Sequence, residues 1–382
     1  MKKGIQVFLT LNGKERRLCD SMTPIERIKA IVAGECVDRM PVYMFADPII
    51  STILGKTRAE CESSARGLAD IQIKGYREFG YDSVGLSLGY SVPIALGGEW
   101  KQLSNSSIEL ISNPVQDINN LSILDLDAVN LNNDKIAAKA LEAAKYIREE
   151  IGKEVECSIS MRAPMSVAAG LVKLEQFLIS LVKNPEKANE VLEFALEAQM
   201  KIASVFIEEG FEISISDPVA SGSLISPKLY RKFAKPYEQK MAKSLEELSG
   251  KLVSFHICGD TNKILEDIAE CGFGSYSMDN MVDIKTAKDL IGSKISLSGN
   301  VDPVHILRFG NPKMIREEVR KCFRLAWDSP KGFSICTGCE MCYETPMENV
   351  KAYIDEAKLC AAEQAQALKC KKEIYVWDKE VV

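Results

Sequence analysis

Eight short apolar or β-branched runs alternate with helical stretches along this 382-residue chain. The runs are VYMF (42–45), SVGLS (83–87), VECSISM (155–161), FEISISD (211–217), LVSFHIC (252–258), SYSMD (275–279), ISLSGNV (295–301) and FSICTG (333–338). Helical patterns lie between them at 134–150, 185–209, 227–249, 261–270, 283–291 and 312–328, and a last one follows Pro346 to about residue 369. Strands that alternate with helices form parallel β/α units, and eight units predict an α/β fold closed as a (β/α)8 TIM barrel rather than an open doubly wound sheet.

Two short extensions flank the predicted barrel, which spans residues 22–369. Residues 1–21 are predicted to form a hairpin extension, because QVFLTL and KERRL flank Asn12-Gly13, the strongest short signal for a type I′ turn. Residues 370–382 form a C-terminal tail that is either an added strand or an oligomer contact.

Two segments inside the barrel stand out. Thr23, Pro24 and Glu26 supply an N-cap, a proline at the first helical position and a capping box, so a helix is predicted through about Val32. Residues 88–130 fit the β/α repeat least well and are predicted to be a long excursion after the second strand, at the catalytic face.

Composition excludes two classes of partner. The net charge is −6, which argues against nucleic acid, and no run approaches the roughly 20 apolar residues that a membrane helix needs. The N-terminal apolar run is too short for a signal peptide, and twelve cysteines without a small-scaffold layout fit free thiols in a reducing compartment. We therefore expect a cytoplasmic protein that binds neither nucleic acid nor membrane.

Polar side chains cluster where the predicted strands end, which is where TIM barrels carry their chemistry. The fifth strand ends in His256-Ile257-Cys258, and strand alternation sends His256 and Cys258 to the same side. Asp279 ends the sixth strand. Imidazole, thiolate and carboxylate together suit a catalytic Zn²⁺ site. The alternative for His256 and Cys258 is a core histidine and a buried cysteine.

Three cysteines follow the eighth strand: Cys336, Cys339 and Cys342. Their two-residue separations also invite an iron–sulfur interpretation, but the next cysteine, Cys360, lies inside a predicted helix. Gly338 would let the chain turn sharply at the strand end, which favours Cys339 as the residue delivered to the site. The other two cysteines are then packing residues.

Other strand ends carry Asp47, Arg162, Asp217 and Asp302. Asp217 is the best catalytic candidate among them, because it ends the fourth strand beside His256 and precedes a small-residue loop. Arg162 binds an anionic substrate or forms a surface salt bridge. Asp302 is expected to cap the following helix.

Four segments carry a resemblance to a known family: MTPIERIKAIVAGECVDRMPV, HICG, SGNVDP and GCEMCYETPMENVKAYIDEA. Together they resemble the uroporphyrinogen decarboxylase superfamily over about residues 22–368. They are most similar to its zinc-dependent branch, the methylcobamide:coenzyme M methyltransferases and related corrinoid-dependent methyltransferases. Porphyrin decarboxylation is disfavoured, because the arginine-rich segment expected after the first strand is replaced by YMFADP.

The resemblance implies a ligand set and a partner. It assigns His256, Cys258 and Cys339 as zinc ligands and places Asp279 about where an acidic residue serves as the exchangeable fourth ligand. The corrinoid-binding signature Asp-x-His-x-x-Gly is absent, since Asp302-Pro-Val-His305 has the wrong spacing. The corrinoid is therefore expected on a separate protein.

The expected function is zinc-dependent transfer of a methyl group between that corrinoid and a small substrate, either a thiol or a methylated ether or amine. Asp217 and Asp279 are the catalytic candidates. The direction of transfer and the substrate stay open, and a homodimer is one assembly compatible with the sequence. The alternatives are a decarboxylase of the uroporphyrinogen type, which would survive chelation, and a non-enzymatic zinc or redox-sensing protein.

Overall fold

Parallel strands surround a central axis in the computed structural model, which describes residues 6–11, 14–105 and 108–378 and the side chains of 20–105 and 108–368. The strands are β1 (Gln6–Leu11), β2 (Lys14–Cys19), β3 (Val84–Ser87), β4 (Glu99–Lys101), β5 (Glu109–Ser112), β6 (Cys157–Arg162), β7 (Glu212–Ser216), β8 (Ser254–Ile257), β9 (Ser275–Met278), β10 (Ser296–Val301) and β11 (Phe333–Thr337). Strands β3 and β6 to β11 form one parallel sheet in chain order. Strands β1 and β2, and β4 and β5, pair as antiparallel hairpins.

Helices follow most of the barrel strands and cover the sheet. They are α1 (Pro24–Val32), α2 (Asp47–Ile53), α3 (Arg58–Glu62), α4 (Ala65–Phe79), α5 (Ser91–Ala95), α6 (Lys135–Ile151), α7 (Pro164–Leu171), α8 (Leu174–Lys183), α9 (Pro185–Glu208), α10 (Pro227–Leu229), α11 (Lys235–Ser249), α12 (Leu265–Ala269), α13 (Ile284–Ile291), α14 (Pro312–Ala326) and α15 (Met347–Asp378). Short 3₁₀ turns lie at Leu126–Ala128 and Pro218–Ala220, and π-helical turns lie at Tyr230–Ala234 and Pro303–Arg308. Within the described residues, no helix is long and apolar enough to cross a membrane.

Where an eighth strand was predicted, the barrel closes through a short irregular segment with a single β-bridge. Val42 forms an isolated parallel bridge with Ile335 of β11, and its carbonyl accepts a hydrogen bond from the Asp82 N–H at 2.9 Å, just before β3. The ladder does not continue, because the Phe45 N–H donates to the Thr337 hydroxyl rather than to a strand carbonyl. The predicted strand over 42–45 is therefore wrong in length, although the segment lies where a TIM barrel requires it.

The remaining seven predicted strands are confirmed to within two residues at either end. The capping box of Thr23 and Glu26 is also confirmed at the start of α1. The excursion at 88–130 contains α5 and the β4–β5 hairpin. The turn predicted at Asn12-Gly13 lies outside the described residues. Residues 370–378 continue α15 rather than forming a strand.

Serines line the inside of the barrel. Along each of the seven strands, successive side chains point to opposite faces of the sheet. The apolar side chains on the outer face are buried against the helices, while the side chains on the inner face keep accessible surface. The inward serines are Ser87, Ser158, Ser160, Ser214, Ser216, Ser254, Ser275, Ser277, Ser296, Ser298 and Ser334. TIM-barrel interiors are usually filled by bulky branched side chains, so this interior is unusually polar and leaves space beside the strand ends.

A buried ionic network joins the elements at the N-terminal end of the barrel. Asp82 accepts hydrogen bonds from Arg27, from Arg39 at 2.5 Å and from the Val42 N–H at 2.8 Å. Arg27 and Arg39 are 0% and 1% exposed, so each needs a carboxylate partner to offset its lost hydration. The network therefore fixes α1 and the closing segment to the start of β3.

Two further carboxylates complete the network. Asp38 accepts from Arg27 at 2.8 Å, and Asp20 accepts from Arg39 at 2.7 Å and from Lys358 of α15 at 3.2 Å. Burial opposes ionisation of Asp20, but the hydrogen bond and charge of Arg39 outweigh it and hold the pKa well below its usual range. The last helix is thereby fixed to the same end of the barrel.

Removing the central carboxylate is expected to destabilise the whole barrel. Asp82→Asn leaves two buried guanidinium groups without their shared anion, which should lower the free energy of unfolding by about 3–5 kcal/mol. The midpoint of urea unfolding measures this loss. Asp70→Asn is the matched control, because its pair with Arg66 is exposed and should cost less than about 1 kcal/mol. Equal losses in the two variants would contradict the central role of Asp82.

Candidate metal centre

Three predicted ligands meet at the C-terminal ends of the strands, here called the barrel mouth. His256 lies in β8, Cys258 follows that strand, and Cys339 follows β11. The His256 Nε2 atom is 3.2 Å from Cys258 Sγ, which is 3.8 Å from Cys339 Sγ. All three donor atoms lie within 4.8 Å of one another. Residues 81 positions apart in the sequence are thus brought to one point.

The neighbouring strand fixes the orientation and tautomer of His256. Its Nδ1 atom lies 3.0 Å from the carbonyl oxygen of Ser277 in β9. A carbonyl only accepts, so Nδ1 carries the proton in the neutral ring and the Nε2 lone pair is directed toward the cysteines. The Phe45 ring packs beside the imidazole at a centroid distance of 6.1 Å. Phe45 and Ser277 had no local sequence signal, because both roles depend on the register between strands.

Glycine at position 338 allows Cys339 to reach the site. Gly338 does not adopt a positive φ, so the predicted role in a sharp turn is replaced by close packing. A Cβ atom there would lie 2.6 Å from the Asn280 backbone nitrogen, which no side chain could accommodate without a shift. The Gly338 N–H also donates to the Val301 carbonyl at 2.8 Å. The chain bearing Cys339 is thus pressed against the loop after β9.

A second glycine follows Cys258. Gly259 has a φ of 81°, which an L side chain rarely adopts, and a Cβ atom there would lie 2.6 Å from Ser221 Oγ and 2.7 Å from Ser223 Oγ. The left-handed turn follows β8 immediately after Cys258. It packs the loop after β8 against the loop after β7.

The donor set fits Zn²⁺. The two sulfurs are in hydrogen-bond contact, and this contact lowers the pKa of Cys339 and, together with burial, raises the pKa of Cys258. One imidazole with its lone pair free and two close sulfurs form a three-ligand set with room for an exchangeable fourth ligand. The arrangement therefore suits a catalytic zinc better than a closed structural site.

Asp279 follows β9, the strand next to β8, and is not one of the three residues whose donor atoms lie within 4.8 Å. It is 6% exposed, and its Oδ1 accepts from the Met281 N–H at 2.9 Å. Its carbonyl accepts from the Asn300 amide at 2.8 Å. That Asp279 serves as an exchangeable fourth ligand stays a prediction.

Asp217 belongs to a buried polar cluster behind β7. It is 0% exposed, and Oδ1 accepts from the N–H and the hydroxyl of Ser166, at 2.9 and 2.5 Å. Burial raises its pKa to about 7. Ser166 was missed by sequence reasoning, because nothing local marks its contact with a strand end 51 residues later. A catalytic role for Asp217 stays a prediction.

Glu238 of α11 is the second carboxylate of this cluster. Its Oε2 accepts from the Tyr230 hydroxyl at 2.5 Å and the Cys271 thiol at 3.4 Å, while Oε1 has no partner among the described residues. Burial, with a smaller contribution from Asp217, raises its pKa to about 8. At neutral pH, Glu238 is therefore mostly protonated and Asp217 is about half protonated.

The other predicted residues are separate from the metal group. Cys336 is buried, and neither it nor Cys342 lies within the 4.8 Å set, so the described chain brings one cysteine of the three to the site. Asp302 caps the following turn by accepting from the Val304 and His305 N–H groups, as predicted. Asp47 is half-buried, and burial raises its pKa. Arg162 donates to the Ser216 hydroxyl at 3.2 Å.

Comparison with known families agrees with this geometry. The family model for uroporphyrinogen decarboxylase (URO-D) matches residues 23–359, which is most of the chain and includes the three predicted ligands. The chain belongs to the uroporphyrinogen decarboxylase family. The match begins after the β1–β2 hairpin, so the hairpin lies outside the family's shared region.

Within the family, several methyltransferases are similar to this chain. A methylcobamide:CoM methyltransferase (MtaA) of Methanosarcina barkeri is 29% identical over 337 residues, covering 86% of this chain and 95% of that protein. A methylcobamide:CoM methyltransferase (MtbA) of Methanosarcina acetivorans is 29% identical, covering 88% and 98%. The solved structure of a methyltransferase from Methanosarcina mazei superposes with a TM-score of 0.77 at 29% identity, covering 88% and 98%.

Filling the space at Gly338 should weaken metal binding. Gly338→Ala forces the Cys339 segment away from Asn280, and misplacing a ligand in this way is expected to lower zinc affinity on the order of 10- to 100-fold. Competition with a chromophoric chelator measures the change. Ser334→Ala, which removes one side-chain atom from the preceding strand β11, is the control and should bind zinc as the wild type does. Unchanged affinity in Gly338→Ala would contradict the packing role.

The raised pKa of Glu238 predicts a pH dependence of stability. The unfolded chain ionises this carboxyl near its ordinary value, whereas the folded protein keeps it protonated up to about pH 8. Its contribution to stability is therefore present at low pH and falls as pH rises from about 4.5 to 8. Glu238→Gln should remove this fall, on the order of 3 kcal/mol between pH 5 and pH 8. Urea unfolding at the two pH values measures it, and parallel pH profiles for variant and wild type would contradict it.

Proposed function

We propose that this protein is a zinc-dependent methyltransferase that moves a methyl group from a corrinoid, carried on a separate protein, to a small thiol. The observation that carries the proposal is the His256–Cys258–Cys339 donor set at the mouth of a barrel whose relatives are named as methylcobamide methyltransferases. The mouth, rather than the packed outer surface, is where TIM barrels bind substrates.

His256, Cys258 and Cys339 would hold the zinc ion. Bound there, Zn²⁺ would lower the pKa of a coordinated thiol and so keep it as the thiolate at neutral pH. Asp279, poised beside the set, is the candidate for the position that an arriving thiol takes. Asp217 acts only from behind β7, so we assign it a positioning rather than a substrate-binding role.

The remaining residues hold and flank the site. The Ser277 carbonyl keeps His256 in the tautomer whose Nε2 is free, so no proton has to leave the ring before the ligand can act. Phe45, 41% exposed at the rim, packs beside the imidazole with its ring tilted by 55°. In the net reaction, the thiol loses its proton to solvent, a sulfur–carbon bond forms, and the methyl–cobalt bond breaks with both electrons left on cobalt.

A cytoplasmic location is part of the proposal. The ten described cysteines that are identified as free thiols include both sulfur ligands, and free thiols persist in a reducing compartment. A metal centre with two sulfur ligands would be exposed to oxidation elsewhere.

The ligand assignment is tested by paired cysteine variants. Cys339→Ser should lower zinc affinity on the order of 100-fold or more and abolish demethylation of methylcobalamin by thiols, because a ligand is lost. Cys342→Ser, three residues away and outside the donor set, should keep both properties. Metal analysis and the loss of methyl–cobalt absorbance are the two measurements.

Two outcomes would overturn the proposal. One is full zinc content and activity in Cys339→Ser. The other is a wild-type protein that binds zinc but transfers no methyl group in either direction, whether offered methylcobalamin with thiols or reduced cobalamin with methylated substrates. Transfer only in the second direction would reverse the assigned roles of donor and acceptor.

A further inference from the structure

The segment that carries Cys339 is tied down on both sides by its main chain. Before it, the Gly338 N–H donates to the Val301 carbonyl at 2.8 Å, and after it the Met341 N–H donates to the Phe45 carbonyl at 2.8 Å. Met341 is 1% exposed, so its side chain also holds the segment in the core. The position of the Cys339 sulfur therefore depends on what holds the short stretch between these two hydrogen bonds.

Glu340, the residue after Cys339, is held by an arginine from a distant part of the chain. Arg58, the first residue of α3, donates from Nη1 to Glu340 Oε2 at 2.9 Å. The Arg58 side chain is 8% exposed and that of Glu340 is 43% exposed. An ion pair with one member buried is screened less by salt and water than a surface pair. The contact therefore ties α3 to the residue beside the predicted ligand, across 282 positions of sequence.

Arg58 is itself fixed in place. Its Nε donates to Glu62 Oε1 at 2.5 Å, one turn further along α3. Glu62 in turn accepts from Gln102 Nε2 at 2.9 Å through Oε2, and from Lys139 Nζ at 2.5 Å through its carbonyl. Thr57 closes the start of α3 with a capping box. The guanidinium is thus supported by α3, by α6 and by the excursion at 88–130.

The charges around Arg58 require a cation at this position. Burial opposes the charge of Arg58, but neighbouring carboxylates outweigh it and raise the pKa of the guanidinium. These carboxylates belong, in order of effect, to Glu340, Glu62 and Asp47. A guanidinium presents five N–H donors in a planar fork and can bind two carboxylates at once, whereas an ammonium is a single point charge. Without Arg58, Glu340 would lose its partner and turn toward water, and the Cys339 segment would shift with it.

We propose that Arg58 is a positioning residue for the metal centre, which through Glu340 holds Cys339 where its sulfur meets His256 and Cys258. Arg58 acts on the side chain next to the ligand rather than on the sulfur itself. That Cys339 binds zinc rests on the proposed function, whereas the link between Arg58 and the Cys339 segment rests on the contacts described above. Helix α3 therefore belongs to the support of the metal centre, although no residue of α3 is a predicted ligand.

The test measures zinc affinity and the spectrum of the cobalt-substituted protein. Arg58→Gln should lower zinc affinity about 10-fold, the smaller of the losses typical when a group that orients a metal ligand is removed. Competition with a chromophoric chelator measures this affinity. With Co²⁺ in place of zinc, the thiolate-to-cobalt charge-transfer absorbance should weaken in the variant, because one sulfur is displaced. Arg58→Lys keeps the charge without the fork and should recover part of both properties.

Arg66→Gln is the matched control. Arg66 lies on the next helix, α4, where its half-exposed side chain pairs with Asp70 and Glu150. Removing this surface arginine should leave zinc affinity and the cobalt spectrum as in the wild type. Urea unfolding of the metal-free proteins reports that each variant is folded.

A double variant shows whether Arg58 acts through Glu340. Glu340→Gln alone should lower zinc affinity by a factor similar to that of Arg58→Gln. If the two residues act as one contact, the double variant should lose no more than the weaker-binding of the two single variants. Two independent effects on the metal centre would instead multiply.

The outcomes separate this positioning role from the proposed function. Wild-type zinc affinity and cobalt spectrum in Arg58→Gln, or losses that multiply in the double variant, overturn the positioning role even if the protein transfers methyl groups. Arg58-dependent zinc binding in a protein that transfers no methyl group supports the positioning role and overturns the proposed function. A wild type that binds no zinc overturns both. If Arg58→Gln fails to fold, Arg58→Lys and Glu340→Gln decide by the same two measurements.

Discussion

The shared carboxylate of Asp82 is the interaction on which the rest of the structure depends. The sheet has seven regular strands, and at the eighth position a single bridge at Val42 and a few hydrogen bonds from Tyr43 and Phe45 replace a full strand ladder. Asp82 compensates by binding the Val42 N–H directly and by gathering Arg27 and Arg39 around it. Val42 bridges to Ile335 of β11, the strand that precedes Cys339, so the seam joins this charge cluster to that strand.

Much of the fold and the metal centre follows from local patterns. The period of two in β8 is enough to place His256 and Cys258 on one face, and β/α alternation is enough to place that face inside a barrel. What could not be predicted depends on neighbours far away in the sequence. Gly338 is required by the approach of Asn280, and the tautomer of His256 is set by the Ser277 carbonyl. Helix α4 was also missed, since glycines within its span weaken the helical signal.

The interior of the barrel is lined with polar side chains in place of a packed apolar core. A TIM barrel filled with branched apolar side chains gains stability from its core, and a lining of serines forgoes part of that gain. Stability comes instead from the apolar layer between strands and helices, where the outward-facing side chains of the barrel strands are buried. Because the outer face of the sheet supplies the apolar core, the inner face can carry Arg162, His256 and other polar groups while the sheet stays folded.

One contact made by His256 has a consequence for how freely this site can change. The group that orients the imidazole is a main-chain carbonyl, at position 277, rather than a side chain. Any residue at position 277 presents the same oxygen, so point mutations in the neighbouring strand cannot remove it, and only a shift of strand register can. Lineages or designers can therefore vary the inner surface to accept new substrates while His256 keeps its orientation.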